Sequence, residues 1–217
     1  MQQKYTDIIW DFNGTIIDDV EAGIISVNKL LSERGLPIIP DKEAYREVFR
    51  FPIIEYYRAL GFDFDAEPYE VIAPLWVAEY LENSKDAPMR EGFLDLLEKF
   101  RALGLRQHVL SATERNMLCR QLTDFGIIDA FDSIHGLDNI HAHSKTQLAV
   151  KFKQENENAK VLFIGDTDHD YDTAMAMGAD CALVCGGHST KERLLSCKGA
   201  QVYNSFEELY DKLTKKS

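Results

Sequence analysis

The chain has 217 residues, 45% of them hydrophobic, and its net charge is −12 because 36 acidic residues stand against 24 basic ones. This length suits one larger domain, or one domain with a smaller insert, around a buried core. Binding to nucleic acid or to an anionic membrane requires clustered Lys and Arg, so the composition argues against both kinds of partner. The longest unbroken apolar runs are too short to span a bilayer.

Cysteine use and the N-terminal sequence bear on location. No second close Cys/His pair completes a zinc site with Cys181 and Cys185. The N-terminus shows no basic region followed by a long apolar run, which a signal peptide would need. Free thiols in a reducing compartment are the better interpretation, and we predict a cytoplasmic protein.

The first predicted strand covers residues 7–10 and leads directly into Asp11-Phe12-Asn13-Gly14-Thr15. Taken alone, Asp-x-Asn-Gly is an ordinary turn sequence. Its position directly after an apolar strand makes Asp11 a candidate for a site at the strand end.

Residues 18–88 are predicted to be helix after helix. The patterns cover residues 20–34, 42–49, 53–60 and 69–81, punctuated by Gly35, Pro37, Pro40, Pro52 and Gly61. A helical block inserted after the first strand is predicted to form a lid; the alternative is a subdomain with only a packing role. The predicted domains are a core of residues 1–17 and 89–217 and a helical insert of residues 18–88.

Strands and helices alternate in the rest of the chain. We predict strands at 106–110, 133–134, 160–164, 181–184 and 201–203, and helices at 92–103, 114–125, 145–154, 171–177 and 206–213. This alternation is typical of an α/β fold with a doubly wound parallel sheet. Ligands bind outside the carboxyl ends of such strands. Asp11, Ser111 and Asp166 all follow or end predicted strands.

Oxygen-rich side chains gather at these strand ends. Asp166 follows an apolar strand and Asp170 comes four residues later, which predicts a site for a hard cation such as Mg²⁺. Ser111 can donate a hydrogen bond to a phosphoryl oxygen, and Lys145 can supply a positive charge. Taken singly, Ser111 could instead cap a helix with Glu114 in a capping box, and Lys145 could be an exposed lysine at a helix start.

Together these residues resemble the haloacid dehalogenase superfamily, and within it the phosphatases with a helical cap inserted after the first motif. The resemblance covers nearly the whole chain. Asp11 matches the nucleophile of the DxDGT motif, Ser111 the Ser/Thr motif, Lys145 the Lys motif, and Asp166 with Asp170 the GDxxxD motif.

The resemblance implies a mechanism. Asp11 would attack phosphorus and form an aspartyl-phosphate. Mg²⁺ would be held by Asp11, Asp166 and the backbone carbonyl of Asn13, with Asp170 binding it directly or through water. Phosphate binding is assigned to Ser111, the adjacent Ala112 and Lys145, while the cap excludes water and selects a small phosphorylated metabolite.

Asn13 departs from the motif, because phosphatases of the family carry an aspartate there that protonates the leaving group. An amide cannot transfer a proton, and general acid/base catalysis contributes about 10²–10⁴ in rate. In one hypothesis the protein is a phosphatase in which His169, Asp19 or Glu21 replaces the acid, or whose substrate has a good leaving group.

Two further hypotheses stay open. The protein could be a weakened phospho-ligand-binding or regulatory protein, or a phosphonate hydrolase that uses Lys29 as a Schiff base. Deamidation of the Asn13-Gly14 pair would restore the phosphatase motif.

The helical insert offers one candidate for substrate selection. Arg50 could contact an anionic group of the substrate; the alternative is a surface arginine at a helix end. His141 and His143 precede Lys145 and are interpreted as loop histidines without a metal-binding role.

Overall fold

The computed structural model of the chain describes residues 4–138 and 145–215, so His141 and His143 lie outside the described residues. Its centre is a six-stranded, entirely parallel sheet in the order β3-β2-β1-β4-β5-β6. This confirms the predicted doubly wound α/β fold. The strands are β1 Asp7–Trp10, β2 Arg106–Glu114, β3 Ser133–Leu137, β4 Val161–Gly165, β5 Asp180–Val184 and β6 Gln201–Tyr203.

Ten α-helices accompany this sheet in the described part of the chain. Four lie between β1 and β2, and we call them the insert helices: α1 Val20–Glu33, α2 Lys42–Val48, α3 Ile53–Ala59 and α4 Tyr69–Ser84. The others are α5 Phe93–Ala102, α6 Arg115–Asp124, α7 Lys145–Glu155, α8 Asp168–Ala176, α9 Lys191–Ser196 and α10 Phe206–Lys215, with a 3-10 turn at Ile128–Ala130.

Strand β3 continues to Leu137 and helix α8 begins at Asp168, each three residues beyond the prediction, and two further differences in the core bear on the site. The short helix α9 was not predicted; it starts after Thr190, whose side chain accepts from the amide of Arg193. Strand β2 continues beyond Ser111 to Glu114, with an irregular register against β3 after Leu110. Glu114 itself caps α6 by accepting two backbone amides, so Ser111 is not the cap of that helix.

Two apolar layers enclose the sheet. Residues of β1 alternate between them, with Trp10 packing against Phe93 on one side and Ile9 joining Phe163 on the other. A parallel sheet is normally covered on both faces, and the run Asp7–Trp10 is buried throughout. The insert helices have their own apolar cluster, which contains Tyr45.

The insert leaves and rejoins the core at one place. The amide of Asp18 donates to Pro88 at 2.8 Å and that of Arg90 donates to Ile16 at 2.9 Å. Ile17 and Met89 form an antiparallel bridge between these bonds. Because this joint follows the loop after β1, the insert helices are held next to the carboxyl ends of the strands. In the part of the chain described, no helix has the length and apolar character to cross a membrane.

Candidate active site

Three buried carboxylates meet at the carboxyl ends of the two central strands. Asp11 follows β1, Asp166 follows β4, and Asp170 lies in the first turn of α8. One oxygen from each lies within 4.8 Å of the others. Strands β1 and β4 are neighbours in register, and the Asp11 amide donates to the carbonyl of Ile164 at 2.9 Å. We call these three residues with Lys145 the acid cluster.

Lys145 is the cation of the acid cluster. Its Nζ pairs with both Asp11 and Asp170, and the residue is only 3% exposed. The interpretation of Lys145 as an exposed helix-start lysine is therefore wrong. Because α7 begins at Lys145, the start of this helix places the ammonium group at the strand ends.

Charge in the acid cluster is unbalanced. Burial and the neighbouring carboxylate of Asp170 raise the pKa of Asp11 well above its usual range, although Lys145 opposes the shift. Burial also raises the pKa of Asp166. Burial disfavours ionised Asp170 as well, but Lys145 and a hydrogen bond from Thr167 hold its pKa below the usual range. Three carboxylates against one ammonium leave a deficit of positive charge, and an all-oxygen donor set of this kind fits a hard divalent cation.

Fixed donors orient the carboxylate of Asp166. Thr15 Oγ1 donates to it at 2.8 Å and the amide of His188 at 2.6 Å. The backbone of the two adjacent glycines lies so close that a Cβ would be 2.4 Å from Asp166 Oδ2 at Gly14 and 2.1 Å at Gly187. Side chains are therefore excluded at both positions.

A capping box holds Asp170. Its Oδ2 accepts the backbone amides of Asp166 and Thr167 at 3.1 and 2.9 Å and the hydroxyl of Thr167 at 2.7 Å. The other oxygen pairs with Lys145. Asp170 thus serves as the N3 residue of α8 and still presents one oxygen to the acid cluster.

The Asn13 side chain is fully engaged by protein groups. Its Oδ1 accepts from Thr113 Oγ1 at 2.9 Å, and its Nδ2 donates to Asp19 Oδ2 at 2.9 Å and to the hydroxyl of Tyr80 at 2.6 Å. Tyr80 belongs to α4, so the amide links the strand-end loop to an insert helix. Both hydrogens of the amide are used, which fits an asparagine better than an aspartate at this position.

Asp19 forms the centre of a second buried group, the hinge network, which comprises Asn13, Asp19, Tyr80 and His188. Asp19 Oδ1 accepts from the Gly14 amide at 2.7 Å and contacts His188 Nε2 at 3.1 Å. Its Oδ2 accepts from the Tyr80 hydroxyl at 2.5 Å and from Asn13. All four donors converge on one carboxylate that is only 1% exposed.

Charge is balanced in the hinge network. Burial disfavours ionised Asp19, but His188 and hydrogen bonds from Tyr80 and Asn13 hold its pKa below the usual range. Burial would lower the pKa of His188, but the neighbouring carboxylates of Asp19 and Asp166 raise it to about 9. At neutral pH the two form an ion pair. Asp19 is therefore ionised and surrounded by donors, which does not suit it to replace a general acid.

The same network bears on the deamidation hypothesis. Deamidation requires the nitrogen of Gly14 to attack the side-chain carbonyl of Asn13. That nitrogen is held by Asp19, and Gly14 is fixed at a φ of +72°. The geometry therefore disfavours conversion of Asn13 in the folded chain.

Ser111 and Ala112 lie on β2, which pairs with β1 in a register that puts Trp10 opposite Val109. Ser111 is 1% exposed, and its Oγ accepts from the Thr113 amide at 3.0 Å and donates to Thr113 Oγ1 at 3.1 Å. Ala112 is half-buried. Thr113 connects Ser111 to Asn13, a role that no sequence motif indicated.

Two predicted candidates lie away from the acid cluster. Arg50 is exposed, and its described hydrogen bonds go to the carbonyls of Val48 and Glu47 in its own turn. Lys29 pairs with Glu79 on the surface of the insert helices. The structure does not bring Arg50 or Lys29 to the carboxylates.

The two remaining candidates for the general acid, Glu21 and His169, have different surroundings. Glu21 is exposed and lies 3.8 Å from Lys42. His169 is next to Asp170 in sequence, and its ring stacks on Phe51 at a centroid distance of 4.4 Å. His169 therefore takes part in the contact between core and insert.

Further contacts close the insert helices onto the core. Arg46 of α2 donates to the carbonyl of Gly187 at 2.7 Å. In the opposite direction, Arg193 of α9 donates to the carbonyls of Glu47, at 3.2 Å, and Phe49. The ring of His188 also contacts the hydroxyl of Tyr45 through Nδ1 at 2.8 Å. No sequence motif indicated His188, although the Gly186-Gly187 pair before it marks a close backbone approach.

The fold and the acid cluster together point to a class of protein. They agree with hydrolases that have a parallel sheet, a helical insert after the first strand and an aspartate at the end of that strand. The family model for haloacid dehalogenase-like hydrolases matches residues 8–184. The chain therefore belongs to this family.

Individual relatives share only a low sequence identity with this chain. The chain is 27% identical over 192 residues to the tyrosine-protein kinase PtkA of Mycobacterium tuberculosis, covering 83% of this chain and 62% of the relative. It thus spans about three fifths of the length of the curated relatives it matches.

Solved structures show the same fold. A haloacid dehalogenase-like hydrolase from Streptococcus pneumoniae superposes with a TM-score of 0.82 at 20% identity, covering 96% of this chain and 98% of the other. A predicted phosphoglycolate phosphatase from Haemophilus somnus gives 0.79 at 17% identity, covering 100% of both chains.

Proposed function

We propose that the protein is a Mg²⁺-dependent phosphohydrolase that cleaves a small phosphorylated metabolite through an aspartyl-phosphate on Asp11. The observation that carries this proposal is the acid cluster, in which a buried Asp11 contacts Lys145 beside Asp166 and Asp170. Family membership and the phosphatase names of several structural relatives support the reaction class.

The metal would be held by the carboxylates of Asp11, Asp166 and Asp170 and by the backbone carbonyl of Asn13. Oxygen donors alone favour Mg²⁺ over softer metals. When bound, the metal supplies positive charge to the phosphoryl oxygens. The charge deficit of the acid cluster supports this assignment.

Two displacements at phosphorus make up the reaction. A carboxylate oxygen of Asp11 attacks phosphorus, and the bond from phosphorus to the leaving oxygen breaks. Water then attacks the aspartyl-phosphate at phosphorus, releasing inorganic phosphate and restoring Asp11. Lys145, Ser111 and Ala112 would hold the phosphoryl oxygens during both steps.

The amide at position 13 limits which leaving groups the site can release. The leaving oxygen receives no proton from an amide, and Asp19 is ionised and held by four donors. Substrates whose leaving group is stable as an anion, such as acyl, enol or aryl phosphates, therefore suit this site best. His169 stays a candidate for donating a proton at the contact between core and insert.

A weakened phospho-ligand-binding or regulatory protein is the second candidate function. The observation that favours it is the complete engagement of Asn13, which leaves the second displacement without a base at this position. Phosphorylated Asp11 would then persist. The phosphonate reaction gains no such support, because Lys29 pairs with Glu79 on the surface.

Hydrolysis of an aryl phosphate, with Mg²⁺ and with chelator, tests the proposal. Phosphate release and phosphorylation of the protein are measured together for the native chain and Asp11→Asn. Sustained Mg²⁺-dependent release that is lost in Asp11→Asn supports the phosphohydrolase. A single equivalent of released phenol with stable labelling of Asp11 supports the second candidate. The absence of both phosphate release and labelling would refute the phosphohydrolase and a persistent phosphorylated Asp11 alike.

A further inference from the structure

A series of hydrogen bonds connects the hinge network to Ser111. Both hydrogens of the Asn13 amide donate, one to Asp19 Oδ2 at 2.9 Å and one to the Tyr80 hydroxyl at 2.6 Å. The amide oxygen accepts from Thr113 Oγ1 at 2.9 Å. Thr113 Oγ1 accepts in turn from Ser111 Oγ at 3.1 Å, and the Thr113 backbone amide donates to the same serine oxygen at 3.0 Å. We call the series Ser111, Thr113, Asn13 and Asp19 the serine relay.

The direction of every bond in the serine relay follows from its last member. A carboxylate oxygen only accepts, so the nitrogen of the Asn13 amide faces Asp19 and its oxygen faces Thr113. An amide oxygen also only accepts, so the single hydrogen of the Thr113 hydroxyl points to Asn13. Thr113 Oγ1 can then offer only lone pairs, and Ser111 must be the donor. The carboxylate of Asp19 therefore sets the direction in which the Ser111 hydroxyl donates.

The serine relay uses the hydrogen that Ser111 would need for phosphate. A serine hydroxyl has one hydrogen, and here it is donated to Thr113. An ionised phosphoryl oxygen only accepts, so it must receive this same hydrogen. Ser111 is 1% exposed and Thr113 is half-buried, so the contact between them is largely shielded from solvent. A bond from Ser111 to a phosphoryl oxygen therefore requires the hydroxyl to turn away from Thr113.

We propose that Thr113 is a positioning residue whose hydroxyl competes with a bound phosphoryl group for the Ser111 hydrogen. This inference rests on the proposed function, in which Ser111 binds phosphate. The bond from Ser111 to Thr113 is long, since bonds between hydroxyls are usually about 2.7–2.8 Å, and a charged acceptor forms a stronger one. Phosphate therefore wins the hydrogen at the cost of the relay bond. Turning moves only the hydrogen, so the serine oxygen stays on the Thr113 amide.

Removal of the Thr113 hydroxyl gives an effect of predictable sign. Thr113→Val keeps a branched side chain of similar volume, and the Ser111 hydrogen no longer has to leave this acceptor when phosphate binds. One neutral hydrogen bond changes an equilibrium by about 2- to 10-fold, so the variant should bind phosphate more tightly by that factor. The substitution also removes the donor to Asn13 Oδ1 and should lower the melting temperature. A merely structural role of Thr113 would give that loss of stability without tighter binding.

Calorimetric titration with inorganic phosphate in Mg²⁺ buffer tests the competition. Thr113→Val should lower Kd, and Thr113→Ser, which keeps the hydroxyl, should return Kd to the native value. Thr113→Ala removes the same hydroxyl with a smaller side chain and should shift Kd in the same direction, so the test does not depend on the folding of one variant. Thr123→Val is the matched control, because the Thr123 hydroxyl donates to the Cys119 carbonyl at 2.8 Å, outside the serine relay. An unchanged or raised Kd in Thr113→Val and Thr113→Ala overturns the proposal.

A double-variant cycle tests whether Thr113 acts through Ser111. Ser111→Ala should bind phosphate more weakly than the native chain, and adding Thr113→Val to it should change Kd no further. Tightening of the same size in the absence of Ser111 overturns the proposal. A native chain that binds no phosphate, or a Ser111→Ala variant that binds as tightly as the native chain, removes the proposed role of Ser111 and this inference with it. If Ser111→Ala weakens binding while every Thr113 variant binds like the native chain, only this inference fails.

Discussion

The acid cluster and the hinge network both adjoin the loop after β1, and they handle buried charge in opposite ways. The acid cluster sets three carboxylates against one ammonium, and burial raises the pKa of Asp11. In the hinge network, Asp19 is ionised beside a protonated His188 and is held by four donors. A buried cluster with a net charge is typical of a site that binds a charged ligand. A buried cluster whose charges are balanced and whose hydrogen bonds are all made instead stabilises the fold.

Removing the proposed nucleophile gives the largest expected effect. Asp11→Asn should lower turnover by about 10⁴-fold or more, because an amide cannot form the aspartyl-phosphate through which the proposed reaction proceeds. The melting temperature of this variant should stay the same or rise, since one of three crowded carboxylates is replaced by a neutral amide. Steady-state kinetics and a melting curve measure both. Residual activity close to that of the native chain would remove Asp11 as the nucleophile.

Breaking the hinge network gives the next effect, and here it falls on stability. Asp19→Asn leaves His188 buried without its counter-ion, and loss of one partner of a buried pair costs about 3–5 kcal/mol. Denaturant unfolding of the variant measures the loss. Asp18→Asn, one residue earlier, is the matched control because it removes a carboxylate from outside the network. Equal stability of the two variants would contradict the structural role of Asp19.

The His188 ion pair also predicts a dependence on pH. Its pKa is about 9 in the folded chain, above the usual 6.5, so the folded state binds this proton more tightly than the unfolded state. The stabilisation is complete below pH 6.5 and is lost as pH rises through about 9. A shift of this size corresponds to about 3 kcal/mol. Unfolding in Mg²⁺-free buffer at several pH values should show the loss in the native chain, and His188→Gln should flatten the curve.

Restoring the family's aspartate is expected to cost less stability than breaking the hinge network. Asn13→Asp places a second carboxylate against Asp19 where an amide now donates, which should cost about 1–3 kcal/mol. We expect this variant to gain little activity. Asn13→Asp with Asp19→Asn removes the repulsion between the two carboxylates but still leaves His188 without its counter-ion, so the double variant should be less stable than the native chain, with turnover rising by up to about 10²-fold from the new acid. A single Asn13→Asp variant that is both stable and fast would show that Asp19 does not constrain position 13.

The fold and the acid cluster could be predicted because their signals are local. An apolar strand followed by Asp11, or by Gly165-Asp166, is visible within a few residues, and parallel strands bring such ends together. The hinge network has no such signal. Tyr80 reaches Asn13 across 67 residues, so only the packing of α4 against α1 reveals the contact.

Two details show what local patterns leave open. The Ser111-to-Glu114 spacing allowed a capping box for Ser111 taken singly, but the Glu114 carboxylate caps α6 because the strand continues three residues beyond Ser111. Arg50 stays an untested candidate for contacting substrate, and its described hydrogen bonds go to carbonyls of its own turn.

The joint between core and insert has a consequence for how such chains diversify. The segments that enter and leave the insert are adjacent, linked through Asp18 with Pro88 and Ile16 with Arg90. Recombination at this point would exchange the surroundings of a substrate as a unit and leave Asp11, Lys145, Asp166 and Asp170 in the core. Asp19 and Tyr80 would be exchanged with the insert, so a new insert must supply its own partners for Asn13 and Gly14.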